Sequence, residues 1–131
     1  MRNRALAVIA AMCALGAGRE TPPVPLGSGE YQFEMKDFEF PTLPSTSVRV
    51  ILQGRHIKVV SDSRESTLFP YGTAIDEGLV IWHAASGQWI IGHNESDEDA
   101  PEVGGCGDGP AVIDLAGPAV IDLAGKVYWY C

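Results

Sequence analysis

Apolar and polar residues alternate along several short segments of this chain, which is the pattern of half-buried β-strands. In the first such segment, residues 31–36, aromatic and sulfur-containing side chains occupy every second position. The apolar phase shifts by one residue at Phe38 and Phe40, which predicts that the strand continues through a β-bulge near residues 36–37.

Two β-branched runs, residues 48–53 and 55–60, flank Gly54 and predict a β-hairpin. Residues 68–69 and 126–131 predict two further short strands, because each is rich in apolar or aromatic side chains and lies next to turn-forming residues. No amphipathic helical pattern of ten or more residues appears after the N-terminal segment, so helices are not expected there.

Residues 78–92 carry the clearest hairpin pattern of the chain. A three-residue turn that ends in a left-handed Gly87 would place Trp82 opposite Ile90. In that register Val80 shares a face of the hairpin with both residues. A shorter turn would shift the pairing by one residue and exchange the partners, so the register remains open.

The chain of 131 residues is long enough for one domain, and its 46% hydrophobic content is ample for a core. The pattern predicts an all-β fold in which six or seven antiparallel strands close into a small barrel or sandwich. This single β domain is expected to span residues 30–131.

An eight-residue segment is repeated without change, once at residues 109–116 and again at 117–124. Two copies of eight residues are too short to build a solenoid, and the identity of the copies indicates a duplication of coding sequence. A proline near the start of each copy predicts a single helical turn in each. Deletion of residues 117–124 is therefore expected not to lower the melting temperature.

Residues 1–17 have the pattern of a secretory signal peptide that is cleaved on export. Two arginines precede thirteen apolar or small residues, a stretch of about 20 Å that cannot cross the roughly 30 Å of membrane hydrocarbon. A lipid anchor on Cys13 is disfavoured by the bulky Met12 before it, and a buried N-terminal helix is a further alternative. Residues 18–29, rich in proline and glycine, predict an extended leader. The expected location is the periplasm or the extracellular space.

Removal of the signal peptide would leave two cysteines, Cys106 and Cys131. Two cysteines in a small exported domain usually pair, and the bond would hold the C-terminal residue in place. The rival interpretation is a reactive thiol, but no basic residue lies within ten positions of Cys106 to stabilise a thiolate. The sequence therefore predicts a Cys106–Cys131 disulfide.

The formal net charge of −8 disfavours binding to nucleic acid, whose phosphates carry the same sign. The charge is unevenly distributed, because residues 65–125 contain eleven acids and no lysine or arginine. Five of these acids lie within residues 95–102. Two interpretations stay open: basic strands of the first half neutralise the acidic half within the fold, or the acidic face attracts a cationic partner.

Glu95, Asp97 and Asp99 alternate along the acidic segment, and their oxygens could wrap a hard cation such as Ca²⁺. The segment lacks the glycine and the distant glutamate of an EF-hand loop. Nothing in the spacing of the three histidines brings them together as zinc ligands: His56, His83 and His93.

No catalytic motif is present in the sequence, and no catalytic residue is assigned from it. Ser86 lies in Ala-Ala-Ser-Gly-Gln, which lacks the preceding glycine of a nucleophile elbow, so its expected role is in the hairpin turn. The leading hypothesis is an exported, non-catalytic binding or inhibitor-type domain that engages a cationic protein or peptide through its acidic half. The alternatives are a calcium-binding structural domain of the cell envelope and a small secreted hydrolase.

Overall fold

The computed structural model describes residues 21–65, 68–107, 109–114 and 120–131. Within these ranges the chain forms eight strands and one short 3₁₀ helix. The strands are β1 (Gly29–Asp37), β2 (Thr46–Gln53), β3 (His56–Ser61), β4 (Ala74–His83), β5 (Gln88–Gly92), β6 (Ala111–Asp114), β7 (Ile121–Asp122) and β8 (Val127–Tyr130), and the 3₁₀ helix is Glu95–Asp99, between β5 and β6.

The eight strands close into a barrel in which sequence neighbours are also neighbours in space. From β1 to β6 each consecutive pair is antiparallel, and so is the pair β7–β8. The pairs β6–β7 and β8–β1 are parallel, and the second of these closes the barrel. The all-β prediction and the barrel are confirmed, whereas the expected strand number and the purely antiparallel pairing are wrong.

The barrel interior is filled by the apolar side chains that alternate along the strands, because side chains at every second position point to the same face. In β2, Val48, Val50 and Leu52 are almost completely buried, while the residues between them are partly exposed. The same alternation places Phe33 and Met35 of β1 in the core.

Strand β5 is buried on both of its faces, which explains its continuous apolar run. Trp89 and Ile91 belong to the core cluster, whereas Ile90 is fully buried without belonging to it. The 3₁₀ helix packs against β4 and β5 and covers that second face. Gly92 has no room for a side chain, because a Cβ there would collide with the side chain of Ile81 and lie 3.4 Å from Cβ of Asp97 on the 3₁₀ helix.

The β4–β5 hairpin pairs one residue away from the expected register. Trp82 lies opposite Trp89, and Ile81 lies opposite Ile90. The cause is a loop of four residues, 84–87, in place of the expected three, since the loop length determines which residues pair. The left-handed conformation of Gly87 is confirmed, with φ at +66°.

Strand β1 ends at Asp37 without the expected bulge, and Phe38 and Phe40 are exposed outside it. Asp37 Oδ1 accepts hydrogen bonds from the backbone N–H groups of Glu39 and Phe40, at 2.9 and 3.0 Å. Such a turn diverts the backbone from the sheet, which is why the apolar pattern does not continue as a strand. The irregularity of the ladder lies instead at Val59 and Val60, between β3 and β4.

The repeated segment forms strands where helical turns were expected. Residues 111–114 of the first copy form β6, and residues 121–122 of the second copy form β7. The β-branched pair Val-Ile in each copy suits a strand between two partners, and tertiary pairing overrides the preference of the proline for a helix start. The second copy supplies β7, which raises the number of strands from seven to eight.

Two partly buried side chains of the leader, Val24 and Leu26, pack against the core. The hydroxyl of Ser28 accepts a hydrogen bond from the backbone N–H of Gly54, at 2.9 Å. The predicted signal peptide, residues 1–17, lies outside the described residues. In the part of the chain that is described, no helix is long and apolar enough to cross a membrane.

Candidate functional site

A groove of about 410 Å³ opens on the barrel surface beside the disulfide. Strand β4 contributes Asp76 to it, the residues after β5 contribute His93 and Asp97, and β8 contributes Tyr128. These polar groups come from segments that are far apart in the sequence, and the closure of the barrel brings them together.

Asp76 and His93, which both line the groove, are in direct contact. The imidazole Nε2 of His93 lies 2.8 Å from Asp76 Oδ1, which also accepts a hydrogen bond from the backbone N–H of Glu77. The backbone N–H of His93 donates to Asp97 Oδ2 at 2.7 Å. The second oxygen of each carboxylate, Oδ2 of Asp76 and Oδ1 of Asp97, accepts no hydrogen bond from the described residues.

Tyr128 is a core residue with only 5% of its surface exposed. Its hydroxyl has no hydrogen-bond partner among the residues that the structure describes. Burial, together with the negative charge of Asp76 and the neighbouring Tyr130, raises the pKa of Tyr128 well above its ordinary value. The groove is therefore bordered by a neutral hydroxyl that is free both to accept and to donate.

The disulfide joins Cys106 to Cys131, with the two Cα atoms 5.3 Å apart, in agreement with the pairing expected from the sequence. The glycine-rich loop that carries Cys106 is held by Pro110, whose carbonyl accepts hydrogen bonds from the backbone N–H groups of Gly104 and Gly105 at 2.9 and 3.1 Å. Gly105 has a φ of +72°, and its close approach to Val120 leaves no space for a side chain. This loop therefore closes one side of the groove.

The three residues proposed as calcium ligands, Glu95, Asp97 and Asp99, all lie on the 3₁₀ helix, none of whose residues is buried. The structure does not gather them around a common point: within the described ranges no group of three or more His, Cys, Asp or Glu side chains could hold a metal ion. Asp97 instead bonds to the backbone of His93.

Arg49, a basic residue of the first half, binds two acids of the same half. Arg49 contacts Glu30 at 2.8 Å and Asp62 at 3.2 Å. The side chains of Glu95, Glu98 and Asp99 are exposed and form no ion pair with any described residue. For these three acids, no described residue supplies the opposite charge that neutralisation within the fold requires.

The three histidines lie at separate places, and each has its own partner. His56 contacts Glu77 at 2.9 Å, and His93 contacts Asp76. His83 is buried, with Nδ1 2.7 Å from the hydroxyl of Ser86 and Nε2 2.7 Å from the carbonyl of Ala100. Since a carbonyl only accepts, Nε2 of His83 donates and Nδ1 accepts.

His83 thus ties the segment after the 3₁₀ helix to the β4–β5 hairpin. Ser86 lies in the loop of this hairpin and bonds to His83, which agrees with the structural role expected for it. Both imidazole nitrogens of His83 are occupied by these contacts, so the Ser86–His83 pair has no imidazole nitrogen left for a substrate.

Sequence reasoning did not assign Asp76, His93 or Tyr128 to a site. The hairpin register contains a signal for the first two, because pairing extended beyond Leu79 and Gly92 places residue 93 opposite Gly78, two residues from Asp76. No local pattern points to Tyr128, which is positioned by the pairing of β8 with both β1 and β7.

Comparison with protein-family models, with curated proteins and with solved structures found no significant match to this chain.

Proposed function

We propose that this chain is a non-catalytic binding domain, of inhibitor type, that engages a cationic protein or peptide through an acidic surface. The acidic surface consists of Glu95, Asp97, Glu98 and Asp99, all on the 3₁₀ helix. The observation that carries the proposal is the absence of any ion pair at Glu95, Glu98 and Asp99 among the described residues. Their charges are available to a partner.

The acidic surface is held in one orientation before a partner arrives. The contact between His93 and Asp97 fixes the start of the 3₁₀ helix, and the bond from His83 to the Ala100 carbonyl fixes the residues after it. Fixed charges bind better than mobile ones, because less side-chain and loop entropy is lost on association. Concentrated charge of one sign also speeds the encounter with a partner of the opposite sign.

The proposed place of action is the periplasm or the extracellular space. The Cys106–Cys131 disulfide supports this, since such bonds form and persist in oxidising compartments. The signal-like pattern of residues 1–17 supports it independently.

The proposal is tested by measuring the affinity of the full chain for a lysine-rich peptide. A triple variant, Glu95→Gln, Glu98→Gln and Asp99→Asn, removes three charges and keeps the size of each side chain. We expect it to bind about tenfold more weakly or worse, since each close charge pair at an interface contributes a fraction of a kcal/mol or more.

The matched control removes the same number of charges elsewhere on the surface, with Glu34→Gln, Glu39→Gln and Glu65→Gln. Equal loss of affinity in the two triple variants would mean that net charge alone attracts the peptide. That result would contradict a binding surface on the 3₁₀ helix, and so would unchanged affinity in the first variant.

A further inference from the structure

We propose that the groove beside Asp76 and Tyr128 is an anchor site for a primary ammonium group, supplied by a lysine side chain of the cationic partner. This inference rests on the proposed function and names the chemical group that the partner inserts. Its observational basis adds to the acidic surface the side chains of Asp76 and Tyr128, which line the groove, whereas Asp97 belongs to both.

The groove offers hydrogen-bond acceptors without a matching donor from the protein. Asp76 Oδ2 and Asp97 Oδ1 accept no hydrogen bond from described residues, and an ionised carboxylate can only accept. An ammonium group carries three donors and no acceptor, so it complements this set. An anionic ligand would meet two negative charges and no lysine or arginine among the lining residues.

The hydroxyl of Tyr128 supplies the second and independent observation. Only 5% of the surface of Tyr128 is exposed, and the residue lines the groove, where no described residue bonds to its hydroxyl. The hydroxyl oxygen itself is not buried, since Arg49 Nε is the one buried side-chain nitrogen or oxygen without a hydrogen-bond partner among the described residues, so this oxygen is open to a group that enters the groove. A ligand donor in the groove would satisfy this oxygen.

The walls of the groove suit the aliphatic part of a lysine. Ile75, Ala111 and Val120 line it together with the polar groups. Lysine buries its methylene stem against apolar surface while its charged end reaches polar partners. A compact ammonium can bond to carboxylate oxygens of separate side chains, whereas arginine favours the two oxygens of one carboxylate.

The test is an NMR titration of the full chain with Nα-acetyl-lysine methylamide, a small probe that carries one ammonium group. We expect saturable shifts at Tyr128 and His93. The same molecule acetylated on its side-chain nitrogen keeps the stem and loses the charge, and it should cause no saturable shift there. Equal responses to the two probes would overturn the ammonium site.

Two variants test whether Asp76 and Tyr128 each contribute to binding of the probe. Asp76→Asn should weaken binding of the probe about tenfold, and Tyr128→Phe should weaken it about threefold, as expected for a charged and a neutral hydrogen bond. Tyr31→Phe is the control, because it removes a hydroxyl that bonds to Gly27 away from the groove. Wild-type affinity in both groove variants, with dispersed spectra that show folded protein, would overturn the proposal.

The outcomes separate the two proposals. Shifts confined to residues 95–99 would overturn the groove site and leave the acidic surface as the binding region. Filling of the groove by the probe, combined with no binding of the lysine-rich peptide, would support the ammonium site and contradict the proposed function.

Discussion

Ile113 and Ile121 occupy the same position in the two copies of the repeat, and they lie opposite each other in the parallel pairing of β6 with β7. Each also contacts a different neighbouring strand, since Ile113 pairs with Trp89 of β5 and Ile121 pairs with Tyr128 of β8. Both isoleucines are buried in the core. The duplication has therefore inserted an additional strand between β5 and β8.

Deletion of residues 117–124 is expected to leave a seven-stranded barrel. The remaining copy would pair with β5 on one side and β8 on the other, both antiparallel, and β8 would stay parallel to β1. Ala116 would then precede Gly125 as Ala124 does now, so the turn into β8 keeps its sequence. We expect circular dichroism to show a β-rich protein whose melting temperature is not lowered.

The control for the deletion is the same shortened chain with Ile113→Asp. It should unfold, because no second copy can replace the buried isoleucine and an unpaired charge would enter the core. If the deletion alone lowered the melting temperature by more than a few degrees, the second copy would be irreplaceable in the core.

The disulfide should contribute roughly 3 kcal/mol to the free energy of unfolding. The bond closes a loop with a sequence separation of 25 and so restricts the unfolded chain. Urea denaturation of the double variant Cys106→Ser and Cys131→Ser measures the loss against the oxidised protein. Reduction of the wild type should reproduce it, and an unchanged midpoint in both cases would contradict a stabilising bond.

Tyr128 should make the protein less stable at high pH. Its pKa is raised in the folded state, so above the ordinary tyrosine pKa of about 10 the unfolded chain loses a proton that the folded chain retains. Its contribution to stability is complete below that pH and falls as the pH rises, by at most about 1.4 kcal/mol per pH unit.

This prediction is tested by measuring the free energy of unfolding with urea at about pH 9 and again above the ordinary tyrosine pKa of about 10. The loss of stability between the two pH values is then compared among the wild type and two variants. Tyr128→Phe should lose less stability over this interval than the wild type does. Tyr31→Phe, which removes an exposed hydroxyl, should follow the wild type. Identical slopes for all three proteins would show that Tyr128 titrates normally in the folded state.

The strands were predictable where side-chain alternation and turn residues agree. The hairpin around Gly54 is such a case: β2 and β3 pair in the register that a two-residue turn imposes. The β4–β5 register was not predictable to the residue, because loops of three and of four residues both suit the sequence. The end of β1 depends on a single side chain, Asp37, which bonds to the backbone after it.

Long-range pairing explains what the sequence could not predict. Residues 111–114 carry a proline-led pattern typical of a helical turn, and they become a strand because β5 and β7 lie on either side. The groove has the same origin, since Asp76 and Tyr128 meet only when the barrel closes. The cysteine pair was predictable, because parity and the absence of nearby bases are properties of composition.

The most direct measurement of the central claim is the affinity of the full chain for the lysine-rich peptide as a function of salt. Exposed charges are screened over about 8 Å at physiological ionic strength and over shorter distances at about 0.5 M salt. If Glu95, Glu98 and Asp99 attract the cationic partner, the dissociation constant should rise steeply across this range. A dissociation constant that stays the same at about 0.5 M salt would contradict the account.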